Sequence, residues 1–208
     1  MHIAERFRPA HTDDVFHFIN THRFGTLVTH TAGGFDATPL PWVAEREQGQ
    51  LILWAHLASA NLQLQQVHGN VLIVFTGVNG YISPRILPTP HSAPTWNYIA
   101  VHAQGRCEVL NETNTELAVE KLVMAMENGR TSPWSTVEMG PRREKLMRHV
   151  TGVRVVVDTV EAKFKLGQNE SDVDLRAIME SLDDDYRDHG DHGDLADAMR
   201  RANPERDV

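Results

Sequence analysis

Two aromatic residues and a histidine alternate along one segment of this chain. In the run from Thr95 to His102, the side chains of Trp96, Tyr98 and His102 fall on one face of an extended strand, because residues two apart point to the same side. Such a face could pack flat against a planar ligand, with His102 as a polar contact. Aromatic stripes are more often part of a protein core or an interface, so both interpretations stay open.

A polar segment follows one of the predicted strands. The sequence from His56 to Asn61 is H-L-A-S-A-N, and either Ser59 or Asn61 is suited to cap a short helix that runs to His68. The first turn of a helix exposes unpaired N–H groups at the positive end of the helix dipole. We therefore predict a phosphate-binding corner at this position.

Two lysines, Lys163 and Lys165, share one face of a predicted strand because they are two residues apart. Their ammonium groups repel each other, so they need either solvent or an anion, and solvent alone is the more common answer. Together with the polar corner and the aromatic strand, they form the strongest site hypothesis that the residues themselves support.

Two prolines, Pro39 and Pro41, interrupt the hydrogen-bonding pattern of another strand. Because they are two residues apart, their missing N–H donors lie on the same side, which predicts a sheet edge, a bulge or a rim that faces a ligand. The backbone groups of residues 38–41 could then contact the edge of a planar ligand.

Short strands joined by turns dominate the first half of the chain. We predict a helix from Thr12, six strands and an antiparallel barrel closed on itself. The predicted strands cover residues 25–30, 35–44, 51–55, 71–76, 81–83 and 96–109, with a tight turn at 77–80. Helices are predicted at 113–128, 141–149 and 172–182, and a further strand at 152–160. Residues 1–182 then form one domain, followed by an acidic tail over 183–208 that is flexible or loosely helical.

Composition excludes several classes of function. The net charge is −8, which makes direct DNA binding doubtful because such binding depends on basic residues. Cys107 is the single cysteine, so no intramolecular disulfide can form, and its strand position favours an inert buried thiol. No leader and no apolar run of the ~18 residues that a membrane span needs is present, so we expect a cytoplasmic protein.

The 12 histidines do not show the spacing of a metal site in the barrel region. His189 and His192 lie in the acidic tail, where adventitious metal binding is plausible. We therefore predict no specific metal site.

Several motifs resemble the PaiB-type family, described as FMN-binding negative transcriptional regulators with a flavin-binding split-barrel fold. The similar segments, which span roughly the first 180 residues in the same order, are F-G-T-L-V-T, A-T-P-L-P-W-V, H-L-A-S-A-N, Y-I-S-P, P-T-W-N-Y-I-A-V-H and K-F-K-L-G-Q-N. The resemblance implies a mainly β protein with helices (α+β), built as an antiparallel split β-barrel with peripheral helices. It also implies a homodimer with FMN at the subunit interface, and haem as a less favoured alternative because some relatives bind it.

In the wider flavin-binding split barrels, including pyridoxamine phosphate oxidases, the polar corner holds the FMN phosphate, usually with basic side chains. Here the corner has no Arg or Lys, so the phosphate contact would pass to a residue such as Arg85 or Lys163. The candidate cofactor-binding residues are Thr38, Pro39, Leu40, His56, Ser59, Asn61, Ser83, Arg85, Trp96, Tyr98, His102, Lys163 and Lys165.

Three functions fit these observations. The first is an FMN-binding regulator that acts indirectly or through a protein partner. The second is a flavin-dependent oxidoreductase for a small substrate, with His102 or Tyr98 as an acid. The third is a regulator that has lost its cofactor, since the corner lacks a basic residue.

Overall fold

The computed structural model describes residues 1–184 and 192–206. The helices are α1 (Thr12–Thr21), α2 (Glu112–Glu127), α3 (Arg143–Met147), α4 (Asp172–Asp184) and α5 (His192–Ala202). The strands are β1 (Phe24–Thr31), β2 (Gly34–Pro41), β3 (Val43–Glu47), β4 (Gln50–Ala58), β5 (Gly69–Ile82), β6 (Thr95–Val109) and β7 (Val150–Lys165).

The seven strands form one sheet in the order β2-β1-β5-β6-β7-β4-β3. Strand β1 pairs antiparallel with β2 and β5, and β4 pairs antiparallel with β3 and β7. This is the antiparallel split β-barrel with peripheral helices that the sequence predicted. Strand β2 lies at one edge of the sheet, which is where Pro39 and Pro41 can be accommodated without breaking a central ladder.

The chain separates into two compact units. The central unit contains residues 12–75 and 102–161, and the terminal unit contains residues 1–11, 76–101 and 162–208. The interpretation of residues 1–182 as one domain stays a prediction.

In the central unit, Gly25 of β1 leaves room for the buried ring of Phe75. A Cβ on Gly25 would lie 2.6 Å from ring atoms of Phe75, so the ring packs directly on the β1 backbone. The indole Nε1 of the fully buried Trp42 donates to the Gly25 carbonyl at 3.1 Å. Helix α1 is amphipathic as predicted, with Val15, Phe18 and Ile19 buried.

In the terminal unit, the last helix differs from the sequence-based expectation. Residues 192–202 form α5, whose Leu195 and Met199 are fully buried. The Asn203 side chain also donates to the Leu166 carbonyl at 3.0 Å. This part of the tail, for which the sequence predicts a flexible or loosely helical segment, is therefore a packed helix. Residues 185–191, 207 and 208 lie outside the described residues.

Other local predictions are also wrong. Strand β5 is continuous over the predicted turn at 77–80, and β4 extends past His56 to Ala58. The helix predicted at 141–149 is only the five residues of α3, preceded by 3-10 turns over Thr136–Arg142.

Over residues 1–184 and 192–206, no helix combines the length and apolar character required to cross a membrane.

Candidate functional site

Aromatic and basic side chains share one face of three neighbouring strands in the terminal unit. We call Tyr81, Trp96, Tyr98, Lys163 and Lys165, on β5, β6 and β7, the aromatic–lysine cluster. The Tyr81 and Trp96 rings have centroids 6.1 Å apart, and the Lys163 ammonium lies 5.4 Å from the centre of the Tyr98 ring. The structure thus brings four of the candidates together with Tyr81, which was not predicted: Trp96, Tyr98, Lys163 and Lys165.

The predicted alternation along β6 is confirmed, but its aromatic face is not a core. Asn97 and Ile99 are buried, whereas Trp96 is 49% exposed and Tyr98 is half-buried. The indole Nε1 of Trp96 donates to the side-chain oxygen of Asn79 at 3.2 Å, which fixes the orientation of the ring. The cluster is therefore a solvent-exposed aromatic surface in which a hydrogen bond orients the Trp96 ring.

The two lysines of the cluster have different environments. Lys165 donates to the Thr95 hydroxyl and, at 2.9 Å, to the Trp96 carbonyl, so it ties β7 to β6. Partial burial lowers the pKa of Lys165; the charge of Glu170 opposes that shift and the charge of Lys163 adds to it.

Lys163 contacts aromatic rings rather than acceptors. Besides Tyr98, its ammonium lies 5.8 Å from the centre of the Phe7 ring. Among residues 1–184 and 192–206, no carboxylate forms an ion pair with Lys163 or Lys165. Lys163 therefore provides the positive charge that is available to a ligand at this surface.

Ser83 and Arg85 begin the proline-rich loop of the terminal unit. The Ser83 hydroxyl accepts from the Arg85 N–H at 3.3 Å and caps a 3-10 turn over Pro84–Ile86. Arg85 itself is exposed. The buried Asp174 of α4 holds the same loop, since its carboxylate accepts from the Thr89 N–H at 3.0 Å and from the Thr89 hydroxyl at 2.6 Å.

In the central unit, the predicted corner contains no regular helix. Asn61 caps a 3-10 turn of four residues, Leu62–Gln65, by accepting from the Gln63 N–H at 2.9 Å. The expected helix to His68 is therefore wrong, and so short a turn has little dipole of its own. The Asn61 amide also donates to the Thr38 hydroxyl at 3.1 Å, so these two candidates are in contact.

Ser59 contacts a distant part of the chain instead of capping a helix. Its N–H donates to the His149 carbonyl at 2.9 Å, and its hydroxyl donates to the Arg148 carbonyl at 3.3 Å. The Ser59 and Thr151 hydroxyl oxygens are 3.0 Å apart. The corner is thereby attached to the start of β7.

Sequence reasoning missed Gln63, which organises the strands beside this corner. Its side-chain amide is 3% exposed and donates to the Leu27 carbonyl, the Thr29 hydroxyl and the Asp36 carbonyl at 3.1–3.2 Å. One side chain thus connects the 3-10 turn with both β1 and β2. A glutamine in a polar segment gives no sequence signal for such a role.

The remaining candidates lie in strands of the central unit. Pro39 and the buried Leu40 are on the edge strand β2, and His102 is half-buried on β6. His56 pairs with Gly152, and its buried Nδ1 has no hydrogen-bond partner in the described part of the chain. Burial lowers the pKa of His56, which favours a neutral imidazole at neutral pH.

No group of three or more His, Cys, Asp and Glu residues suited to hold a metal ion occurs in the described ranges 1–184 and 192–206. His189 and the side chain of His192 lie outside what the structure describes.

Comparison of the sequence with known proteins identifies its family. The family model described as "Putative FMN-binding domain" matches residues 1–159. The chain is 29% identical over 187 residues to the protease synthase and sporulation protein PAI 2 of Bacillus subtilis, covering 88% of this chain and 89% of that relative.

Two solved structures share the fold. The FAD and heme binding protein from Mycobacterium smegmatis matches with a TM-score of 0.60 at 17% identity, covering 81% of this chain and 78% of that one. The flavocytochrome Anf3 from Azotobacter vinelandii matches with a TM-score of 0.57 at 16% identity, covering 76% and 69% of the two chains.

Proposed function

The chain belongs to the FMN-binding domain family that matches its first 159 residues, and from that premise we propose that it binds FMN through the aromatic–lysine cluster. The observation that carries this proposal is an open, oriented aromatic face beside an ammonium group that no carboxylate neutralises in the described part of the chain. Both features lie within the terminal unit.

The residues of the cluster fit the chemistry of FMN. The isoalloxazine ring is planar and mostly apolar, so it needs flat walls, which Trp96 and Tyr98 provide. A positive charge close to a flavin ring stabilises its reduced, anionic form, and in this proposal Lys163 supplies that charge. When bound, FMN supplies the redox chemistry, while these residues bind and orient it.

Two of the contacts in the cluster prepare it for a ligand. The bond from Trp96 to Asn79 fixes the indole plane, and the bonds from Lys165 hold β7 against β6. A surface that is ordered before the ligand arrives loses less conformational freedom on binding. We therefore assign Lys165 a positioning role and Lys163 a direct one.

The proposal is tested by flavin retention and flavin fluorescence. Purified protein is mixed with FMN, desalted and titrated, and Trp96→Leu is compared with Trp134→Leu, an exposed tryptophan of the central unit. Loss of an aromatic contact worth ~1–1.5 kcal/mol predicts about tenfold weaker FMN binding for Trp96→Leu and no change for Trp134→Leu. Equal affinities of the two variants, or a wild type that retains no flavin, would refute the proposal.

The role of the Lys163 charge is tested by measuring the reduction potential of the bound flavin. Lys163→Gln is expected to make the reduction potential of the bound flavin more negative, because the reduced anion loses a favourable charge. Lys145→Gln, an exposed lysine of the central unit, is the control and should leave the potential unchanged.

We also propose that the protein acts as a cytoplasmic homodimer with a regulatory role. The name of the Bacillus subtilis relative, protease synthase and sporulation protein PAI 2, supports regulation. The net charge of −8 favours action through a protein partner over direct DNA contact. Light scattering tests the dimer, and a sequence-specific shift of DNA by the pure protein would contradict indirect action.

Two alternative functions, a flavin-dependent oxidoreductase and a haem-binding protein, can be tested with the same purified protein. Consumption of NAD(P)H above the rate of free FMN would favour a flavin-dependent oxidoreductase, with Tyr98, whose ring centre lies 5.4 Å from the Lys163 ammonium, or His102 as the acid. Haem is the alternative cofactor, as the names of both similar structures indicate, and its absorbance spectrum differs from that of a flavin.

A further inference from the structure

The first residues of the chain contact the aromatic–lysine cluster through Phe7. The Lys163 ammonium lies 5.8 Å from the centre of the Phe7 ring and 5.4 Å from the centre of the Tyr98 ring. Both aromatic rings therefore attract the same positive charge. Phe7, Tyr98 and Lys163 all belong to the terminal unit, so this contact lies within one compact unit.

The chain holds Phe7 less firmly than it holds Tyr98. Tyr98 lies in β6, which has β5 and β7 as neighbours in the sheet. Phe7 ends a 3-10 turn, Glu5–Phe7, that contains no buried residue. We call residues 1–11 the N-terminal arm, and none of its side chains is buried. Segments with few buried contacts open at a low cost in free energy, so the arm can detach from the cluster while the sheet stays folded.

The docked Phe7 ring and an oxygen atom of a ligand compete for Lys163. A charge-assisted hydrogen bond from an ammonium group to an oxygen acceptor is stronger than a cation–π contact at an exposed site. The face of an aromatic ring also carries partial negative charge, so it repels an anionic group that approaches the same ammonium. A ligand oxygen at Lys163 therefore disfavours the docked position of Phe7.

We propose that Phe7 makes an autoinhibitory contact: the N-terminal arm weakens ligand binding at the aromatic–lysine cluster, and the bound ligand releases the arm. This inference rests on the proposed function, since it takes FMN as the ligand. The coupling is reciprocal, so whatever strengthens docking of the arm weakens FMN binding. Loss of a cation–π contact of the usual exposed strength changes the FMN affinity by about two- to fivefold.

Limited proteolysis of the full chain tests the release of the arm. Trypsin cleaves between Arg6 and Phe7, and it does not cleave after Arg8 because Pro9 follows. Cleavage requires local opening of the segment, so docking of Phe7 slows it. Mass spectrometry should show that saturating FMN speeds this cleavage, and that Lys163→Gln without FMN speeds it by about two- to fivefold. Slower cleavage of the wild type with FMN would overturn the proposal, because the arm would then close over the ligand.

Titration with FMN, followed by flavin fluorescence, tests the effect on affinity. Phe7→Ala should bind FMN about two- to fivefold more tightly than the wild type, whereas Phe7→Tyr keeps a ring and should match the wild type. The control is Phe16→Ala, because the Phe16 ring lies 5.2 Å from the Arg46 guanidinium in the central unit. An equal gain in affinity for Phe16→Ala would show that the gain does not come from the contact with Lys163.

The outcomes of the titration separate this inference from the proposed function. If the wild type and Phe7→Ala bind FMN with equal affinity, FMN binding stands and the autoinhibitory contact is refuted. Weaker binding by Phe7→Ala would also refute it, because Phe7 would then be part of the binding surface. If neither protein binds FMN, the proposed function fails and this inference fails with it.

Discussion

Replacing Gln63 by Glu should make the stability of the protein depend on pH in a defined direction. The Gln63 amide donates to two backbone carbonyls and the Thr29 hydroxyl, and the residue is 3% exposed. A carboxylate in its place would be buried against acceptor oxygens. Both burial and the lack of donors disfavour the charged form, so the pKa of the new carboxyl group should rise.

The magnitude follows from that rise. An increase of roughly 2–3 pKa units above the ordinary value of about 4.3, at 1.36 kcal/mol per unit, corresponds to a loss of ~3–4 kcal/mol once the group must ionise. Since the folded pKa lies above the unfolded one, the loss is absent below about pH 4 and grows as the pH rises through the folded pKa. Near pH 4, the neutral carboxyl replaces two N–H donors with one O–H, which costs about 1 kcal/mol.

Urea denaturation at low and neutral pH measures this difference, with Gln65→Glu as the control. Gln65 belongs to the same 3-10 turn but is exposed, so its variant should match the wild type at both pH values. The reasoning is refuted if the destabilisation of Gln63→Glu does not grow between about pH 4 and pH 7.5.

Two further predictions concern β6. A Cβ on Gly105 would lie 2.1 Å from the carbonyl oxygen of Val156, so Gly105→Ala should lower the free energy of unfolding, measured in thermal melts, by about 3 kcal/mol or more. The control is Gly33→Ala, whose Cβ would make only an ordinary contact at 3.6 Å and which should lower the free energy of unfolding far less. Burial, with a contribution from the charge of Glu108, raises the pKa of Cys107 to about 12, so its thiol should react slowly with a disulfide reagent in the native protein and rapidly in urea; rapid native labelling would contradict this.

Much of the fold could be predicted from periodicity. The alternation of Trp96, Asn97, Tyr98 and Ile99 predicted both the strand and its two faces, and the structure confirms which residues share a face. What alternation alone could not decide is which face is buried. That depends on α5, since the amide of the buried Asn97 donates to the Met199 sulfur at 3.7 Å, and no local pattern indicates this contact.

The wrong turn at 77–80 has a physical explanation. Glycine and asparagine are typical turn residues, but here Gly80 allows close packing of a neighbouring side chain and Asn79 accepts a hydrogen bond, both within a strand. A Cβ on Gly80 would lie 2.7 Å from a Leu195 methyl group, and Asn79 accepts the hydrogen bond from Trp96. Both reasons involve partners far away in the sequence, so the local pattern predicted the wrong structure.

The candidate site was predictable in its residue types and less so in its partners. Lys163 and Lys165 were correctly placed on one face, yet only the structure shows that Lys165 is bonded to β6 while Lys163 contacts rings. Gln63 was missed because its contacts join residues 27 to 36 positions apart. Such pairings arise from the sheet topology and leave no trace in spacing.

The composition of the terminal unit has a consequence for biosynthesis. Its segments come from residues 1–11, 76–101 and 162–208, and α5 fills part of its interior. On the ribosome, the N-terminal and middle segments emerge well before Leu195 and Met199 exist to cover them. Apolar side chains such as Ile99 are then exposed to water until α5 has been synthesised, so this unit, unlike the central one, cannot complete its packing before α5 emerges.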